Sequence, residues 1–202
     1  MGRRLPAGAP RRATMLTSVF FLLLMLSGCN NERVNPTDPY TDGLQAYDRG
    51  DHRLARNDWE PLAKAGDCDA EARYALVLFD DSATTLGTPT DQSEGLRLFQ
   101  AAADRGQPLA ELELGLIYAT GVTYGGRNPA VRCTGCNLDL VQAYKWLVLA
   151  QRHAVDSNQR DAAGFYLSGL KKQLNVRQLD EATRLAGAWQ PQLPPCAPRA
   201  PI

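Results

Sequence analysis

The sequence predicts an all-α fold, an α-solenoid of about three to four stacked helix–turn–helix repeats. Three observations point to it. Apolar residues recur at helical spacing along most of the chain, and no stretch alternates with period two, so no strand is assigned. Aligning Gly66 with Gly106, 40 residues on, brings Trp59 onto Phe99, Leu62-Ala63 onto Ala102-Ala103 and Ala70 onto Ala110. The 202 residues, 44% hydrophobic and 22% charged, suit a folded domain and exclude wholesale disorder.

The elements follow in chain order. A short helix is expected over about 41–49, with a stop at Gly50. Leu54, Ala55, Trp59, Leu62 and Ala63 then share one helical face, and Pro61 is expected to kink that helix or mark a bend. After the stop at Gly66 comes a helix over about 70–79. Leu96, Phe99, Ala102 and Ala103 form the next stripe, with Asp91-x-x-Glu94 as a capping-box-like start and Gly106 as the stop. A helix over about 110–119 ends at Gly121. Leu140, Val141, Tyr144, Leu147 and Val148 form a third stripe, followed by a helix over about 157–171. Leu179, Ala182, Leu185, Ala186 and Trp189 form the last, opened by Asn175-x-x-Gln178.

A period near 40 built from helix pairs means a stack, because one pair has too narrow an apolar face to fold alone. Small residues have a packing role in such a stack. Ala70, Ala110, Gly115 and Ala143 let one helix lie close to the bulky Trp or Phe of the next. Gly115 sits mid-helix at a cost of about 1 kcal/mol relative to Ala, which implies that a side chain would clash there.

At these residues the chain resembles the Sel1-like repeat family. Asp139-Leu140-Val141-Gln142-Ala143-Tyr144-Lys145-Trp146, followed by Leu149-Ala150, is similar to the family's second helix. Ala110-x-x-x-Leu114-Gly115-x-x-Tyr118-x-x-Gly121 is similar to its first helix and turn. Gly43 to Ala72 resembles the N-terminal unit of secreted members, and Leu179 to Trp189 resembles the closing helix. The likeness covers residues 41–189. Val77-Leu78-Phe79 departs from it, lacking the Gly and Tyr of the first-helix motif, and both loops within hairpins are long. The resemblance implies a protein–protein interaction role.

The ends read differently. Residues 1–28 contain Arg3, Arg4, Arg11 and Arg12, no acid, and the 12-residue apolar run Met15–Leu26. That is the pattern of an export signal, and it is too short for a transmembrane helix, which needs about 20 apolar residues. Leu26-Ser27-Gly28-Cys29 resembles the lipobox of bacterial lipoproteins. The resemblance implies cleavage after Gly28, acylation of Cys29 and anchorage to a lipid bilayer. Asn30 in place of Asp favours the outer membrane, facing the periplasm. Residues 29–40 then form the lipidated N-terminus and tether, and 190–202, with five prolines, form an extended Pro-rich tail without packing of its own. The intact chain has 22 basic and 22 acidic residues; without the four arginines of the signal the balance is about −4. Neither value suits a basic nucleic-acid-binding surface.

Chemistry-bearing residues are sparse. The loop Val122–Asn137 contains Cys133-Thr134-Gly135-Cys136, a spacing compatible with half a zinc site, haem attachment or a redox pair. Haem attachment needs a His where Asn137 stands. A zinc site made of four cysteines needs a second close pair, while the two cysteines left, Cys68 and Cys196, are far apart in sequence. In an oxidising compartment the favoured reading is a local Cys133–Cys136 disulfide stapling the loop, with free thiols, metal and redox use as alternatives. Cys68 is expected at a turn away from the insertion; Cys196, on the tail, is a candidate partner for it. His52 and His153 have no nearby nucleophile and are read as surface residues, and the acids form no suggestive pair. No catalytic residue, metal site or cofactor is assigned. The expectation is an envelope-anchored, non-enzymatic adaptor that binds an unidentified protein or peptide on the solenoid surface. The alternative is a periplasmic redox or metal-binding protein using Cys133 and Cys136.

Overall fold

Each helix begins where an acid or amide side chain can take the first free N–H groups, and the computed structural model shows this at nearly every start. It describes residue 2 and residues 38–82, 88–122, 133 and 136–197. Among them are eight helices and no strand: α1 Pro39–Asp48, α2 His52–Lys64, α3 Cys68–Asp81, α4 Pro89–Asp104, α5 Pro108–Thr120, α6 Leu140–His153, α7 Ser157–Leu170 and α8 Val176–Ala188. Asp51 accepts the Leu54 N–H at 3.0 Å, Asp67 the Ala70 N–H at 3.1 Å, and Gln107 the Ala110 N–H at 2.6 Å. Such caps contribute about 1 kcal/mol each. Asn175 and Gln178 close a reciprocal box at 3.0 and 3.1 Å, as expected from their spacing.

The expected Asp91–Glu94 box is corrected. The helix starts three residues earlier, with Thr88 as N-cap, and Asp91 accepts the Thr88 N–H at 2.8 Å. Glu94 instead pairs with Arg97 at 2.7 Å one turn on. Pro61 does not end its helix, which runs on to Lys64.

Helix stops fall at the four expected glycines, all with positive φ. Gly66 and Gly106 both have φ 88°, and the bonds around them match. Gly66 N–H reaches Ala63 O and Asp67 N–H reaches Leu62 O; 40 residues on, Gly106 N–H reaches Ala103 O and Gln107 N–H reaches Ala102 O. This is the Schellman closure, in which a left-handed residue turns two amides back on the last carbonyls.

Packing is between neighbours along the chain: α1 on α2, α2 on α3, and so on to α6 on α7, with α8 returning to α6. The helices carry two apolar clusters. One runs from Tyr40 through Trp59, Phe79, Phe99 and Ile117 to Trp146 and Leu149. The other gathers Leu112, Leu116, Tyr144, Leu147, Ala163, Leu167, Leu170 and Ala182. Residues of α5 and α6 contribute to both, which is why α5 is apolar on nearly every side. Gly115 packs against a neighbour as expected, but the neighbour is aliphatic: a Cβ there would lie 2.6 Å from Leu147 Cγ. Gly43 has a comparable role against the Trp59 indole.

Candidate functional site

Two carboxylates on the interior helices are met by the chain's two histidines. Asp81, at the end of α3, is buried and receives His52 Nδ1 at 2.7 Å, with Arg56 Nη1 at 3.6 Å from its other oxygen. The adjacent Asp80 accepts the Tyr47 hydroxyl at 2.7 Å, and the Tyr47 ring stacks on His52 with centroids 5.1 Å apart. Arg56 also reaches Asp91 at 3.4 Å, tying α2 to α4.

The second pair lies between α5 and α6. Glu111 is fully buried, and His153 Nδ1 lies 2.9 and 3.0 Å from its two oxygens. Burial pushes the Glu111 carboxyl above its ordinary value, opposed by the bond to His153 and by the charges of His153, Arg152 and Lys145. Lys145 is itself pushed down by burial and lies 3.8 Å above the Trp146 ring. Trp189 closes the outer side of His153, with ring centroids 5.3 Å apart.

These placements correct the surface reading of both histidines, each of which meets a buried acid. Asp80-Asp81 directly follows the apolar run Ala75–Phe79, and Glu111 lies within a helix without a polar face; an acid in such a setting was the available signal. Each acid is buried while its imidazole keeps some exposure, 14% for His52 and 27% for His153, and each pair joins two helices.

The cysteines give a second grouping. Cys133 and Cys136 are joined to each other, both half-buried against the first apolar cluster, and Cys133 N–H reaches Gly121 O at 2.7 Å. Cys68, the first residue of α3, is joined to Cys196 across 128 residues of sequence. The expected unpacked tail is therefore corrected for residues 190–197; residues 198–202 lie outside the described residues. Gln192 N–H donates to Asp104 O at 2.7 Å and Cys196 N–H to Arg105 O at 3.0 Å. Arg105 returns a bond from Nε to Pro194 O at 3.0 Å, and its other nitrogens reach Gly66 O at 3.2 Å and Glu71 at 3.5 Å.

The tail's side chains are nonetheless exposed, apart from half-buried Cys196. Two backbone bonds and one from the Arg105 guanidinium hold it, beside the covalent link to Cys68.

On α7, Asn158, Asp161, Ala162, Phe165 and Tyr166 surround a shallow, open depression, with Phe165 74% exposed. Among the described residues no cluster of three or more His, Cys, Asp or Glu could hold a metal ion, and no helix is long and apolar enough to cross a membrane. Cys29, and all but residue 2 of the stretch 1–28 where an export signal is expected, lie outside the described residues. No family model matches the chain, and no curated protein matches it.

Proposed function

We propose that the chain is a lipid-anchored, non-enzymatic adaptor of the bacterial envelope, with its helices between residues 41 and 189 stacked as a Sel1-like α-solenoid. The observation that carries the reading is the contact between equivalent turns. Arg105 and Gln107 of one turn bond to Gly66 O and Asp69 of the turn 40 residues earlier, at 3.2 and 2.9 Å. Repetition of one turn geometry, with each copy bonded to the last, is what stacked helical hairpins require. Stacks of this kind present long surfaces to protein partners. The acid–histidine pairs fit that role, because each joins two helices of the stack. The Cys133–Cys136 bond, with the Cys133 N–H on Gly121 O, supports a loop staple in this reading.

In this reading Cys29 carries the acyl groups, residues 30–38 are the tether, shorter than expected because Pro39 and Tyr40 already belong to α1, and the solenoid binds a protein or peptide in the periplasm. Two experiments test it. Metabolic labelling with an alkyne fatty acid should mark the wild-type chain and not Cys29→Ala, which should move to the soluble fraction; retention of Cys29→Ala in the membrane overturns the anchor. A photo-crosslinking residue at position 165 should give one discrete adduct in intact envelopes, lost when a second exposed change is made beside it, such as Asp161→Arg. Absence of any protein adduct from this and other exposed solenoid positions overturns the adaptor.

A further inference from the structure

The extended segment 190–197 and the turn it crosses are built from groups that fit each other only while the segment is held. Its contacts are backbone ones: the Gln192 and Cys196 amides on the carbonyls of Asp104 and Arg105, and the Pro194 carbonyl on Arg105 Nε. Arg105 is the shared clamp, since the same guanidinium also reaches Gly66 O and Glu71. None of the side chains from Pro191 to Pro195 is buried. A segment without buried apolar surface does not stay ordered by itself, so the Cys68–Cys196 bond is what keeps it in place.

We infer that residues 190–197 form a redox-released strap. With the disulfide closed, the strap covers the α4–α5 turn. Reduction frees it and uncovers the Asp104 and Arg105 carbonyls and the Arg105 Nε. The reductant is a dithiol. Its thiolate attacks one sulfur of the disulfide, forming a mixed disulfide and expelling the other sulfur as a thiolate. The reductant's second thiol then resolves the mixed disulfide. The chain gains two electrons and two protons as Cys68 and Cys196 thiols, and the reductant leaves as a disulfide. Access selects the sulfur attacked: Cys68 is 5% exposed, whereas Cys196 is half-buried on the outer segment, so the mixed disulfide forms at Cys196. The helices do not need the strap, since α8 is held to α6 by its own face, including Ala182 and Ala186.

Hydrogen exchange on the full chain tests this, comparing the oxidised protein, the protein treated with a dithiol, and Cys196→Ser without reductant. Peptide mapping should first recover Cys68 linked to Cys196 in the oxidised chain. The Gln192 and Cys196 amides should exchange at least about tenfold faster after reduction, as should the Gln192 amide in Cys196→Ser, while α3 and α5 amides keep their protection. Cys196→Ser separates this link from Cys133–Cys136, which the reductant also opens. Unchanged protection at Gln192 overturns the strap, because the segment would then be held without the bond. Loss of α3 and α5 protection in Cys196→Ser also overturns it, by making the bond part of the fold. So does any other pairing of Cys68.

Discussion

Glu111 and Asp81 are each enclosed by packed helices and each met by one imidazole, so the cost of their charge depends on that neighbour. For Glu111 the direction is set by burial: its carboxyl holds a proton to higher pH in the folded chain than in the unfolded one. The folded state therefore binds more protons above the ordinary Glu range, and stability falls as pH rises from about 4.5 through the raised value. Urea unfolding of Glu111→Gln should show that fall reduced. His153→Ala removes the bond that opposes the shift, so it should destabilise by about 1–3 kcal/mol near pH 7.5 and by less near pH 4.5. An equal loss at both pH values would show that the imidazole acts only by packing. Neither pair was legible in the sequence. Their members are 29 and 42 residues apart, and only the folding of α2 onto α3, and of α6 onto α5, brings them together.

At the scale of elements much more could be read, because helix periodicity and capping are local. The shorter expected helices, such as 70–79 and 157–171, match α3 and α7 to within two residues at either end. The misread start at Asp91 has a physical reason. Thr88-Pro89 lies ahead of the apolar stripe, and a Pro in the first turn, where its missing N–H is harmless, starts the helix earlier than the stripe does. Close approach was legible at Gly115 but not its partner, since any of several large side chains fits the same argument. Gly115→Ala should cost about 1–3 kcal/mol through collision with Leu147. Leu147→Ala should be destabilising alone yet should lessen the cost of Gly115→Ala in the double variant. A double-mutant cycle by thermal or urea unfolding measures that coupling, and additive losses would place the strain elsewhere.

For the molecule as a whole, the proposed stacking has a consequence that a single shared core does not. Contacts run between neighbouring helices, and the cluster around Trp59 is distinct from the one around Leu167. Loss at one end should then propagate only through the nearest interfaces. Trp59 is the place to test it. Its indole is fully buried, it lies against the rings of Tyr40 and Tyr47, and its N–H reaches Tyr40 O at 3.1 Å. Replacing it with Ala should cost about 3–5 kcal/mol locally. Native-state hydrogen exchange should show that cost in α1, α2 and the facing amides of α3. Protection in α6 and α7 should change by less than about 1 kcal/mol. Uniform loss across all helices of Trp59→Ala would mean one cooperative unit and would remove the physical basis for reading the 40-residue period as a stack.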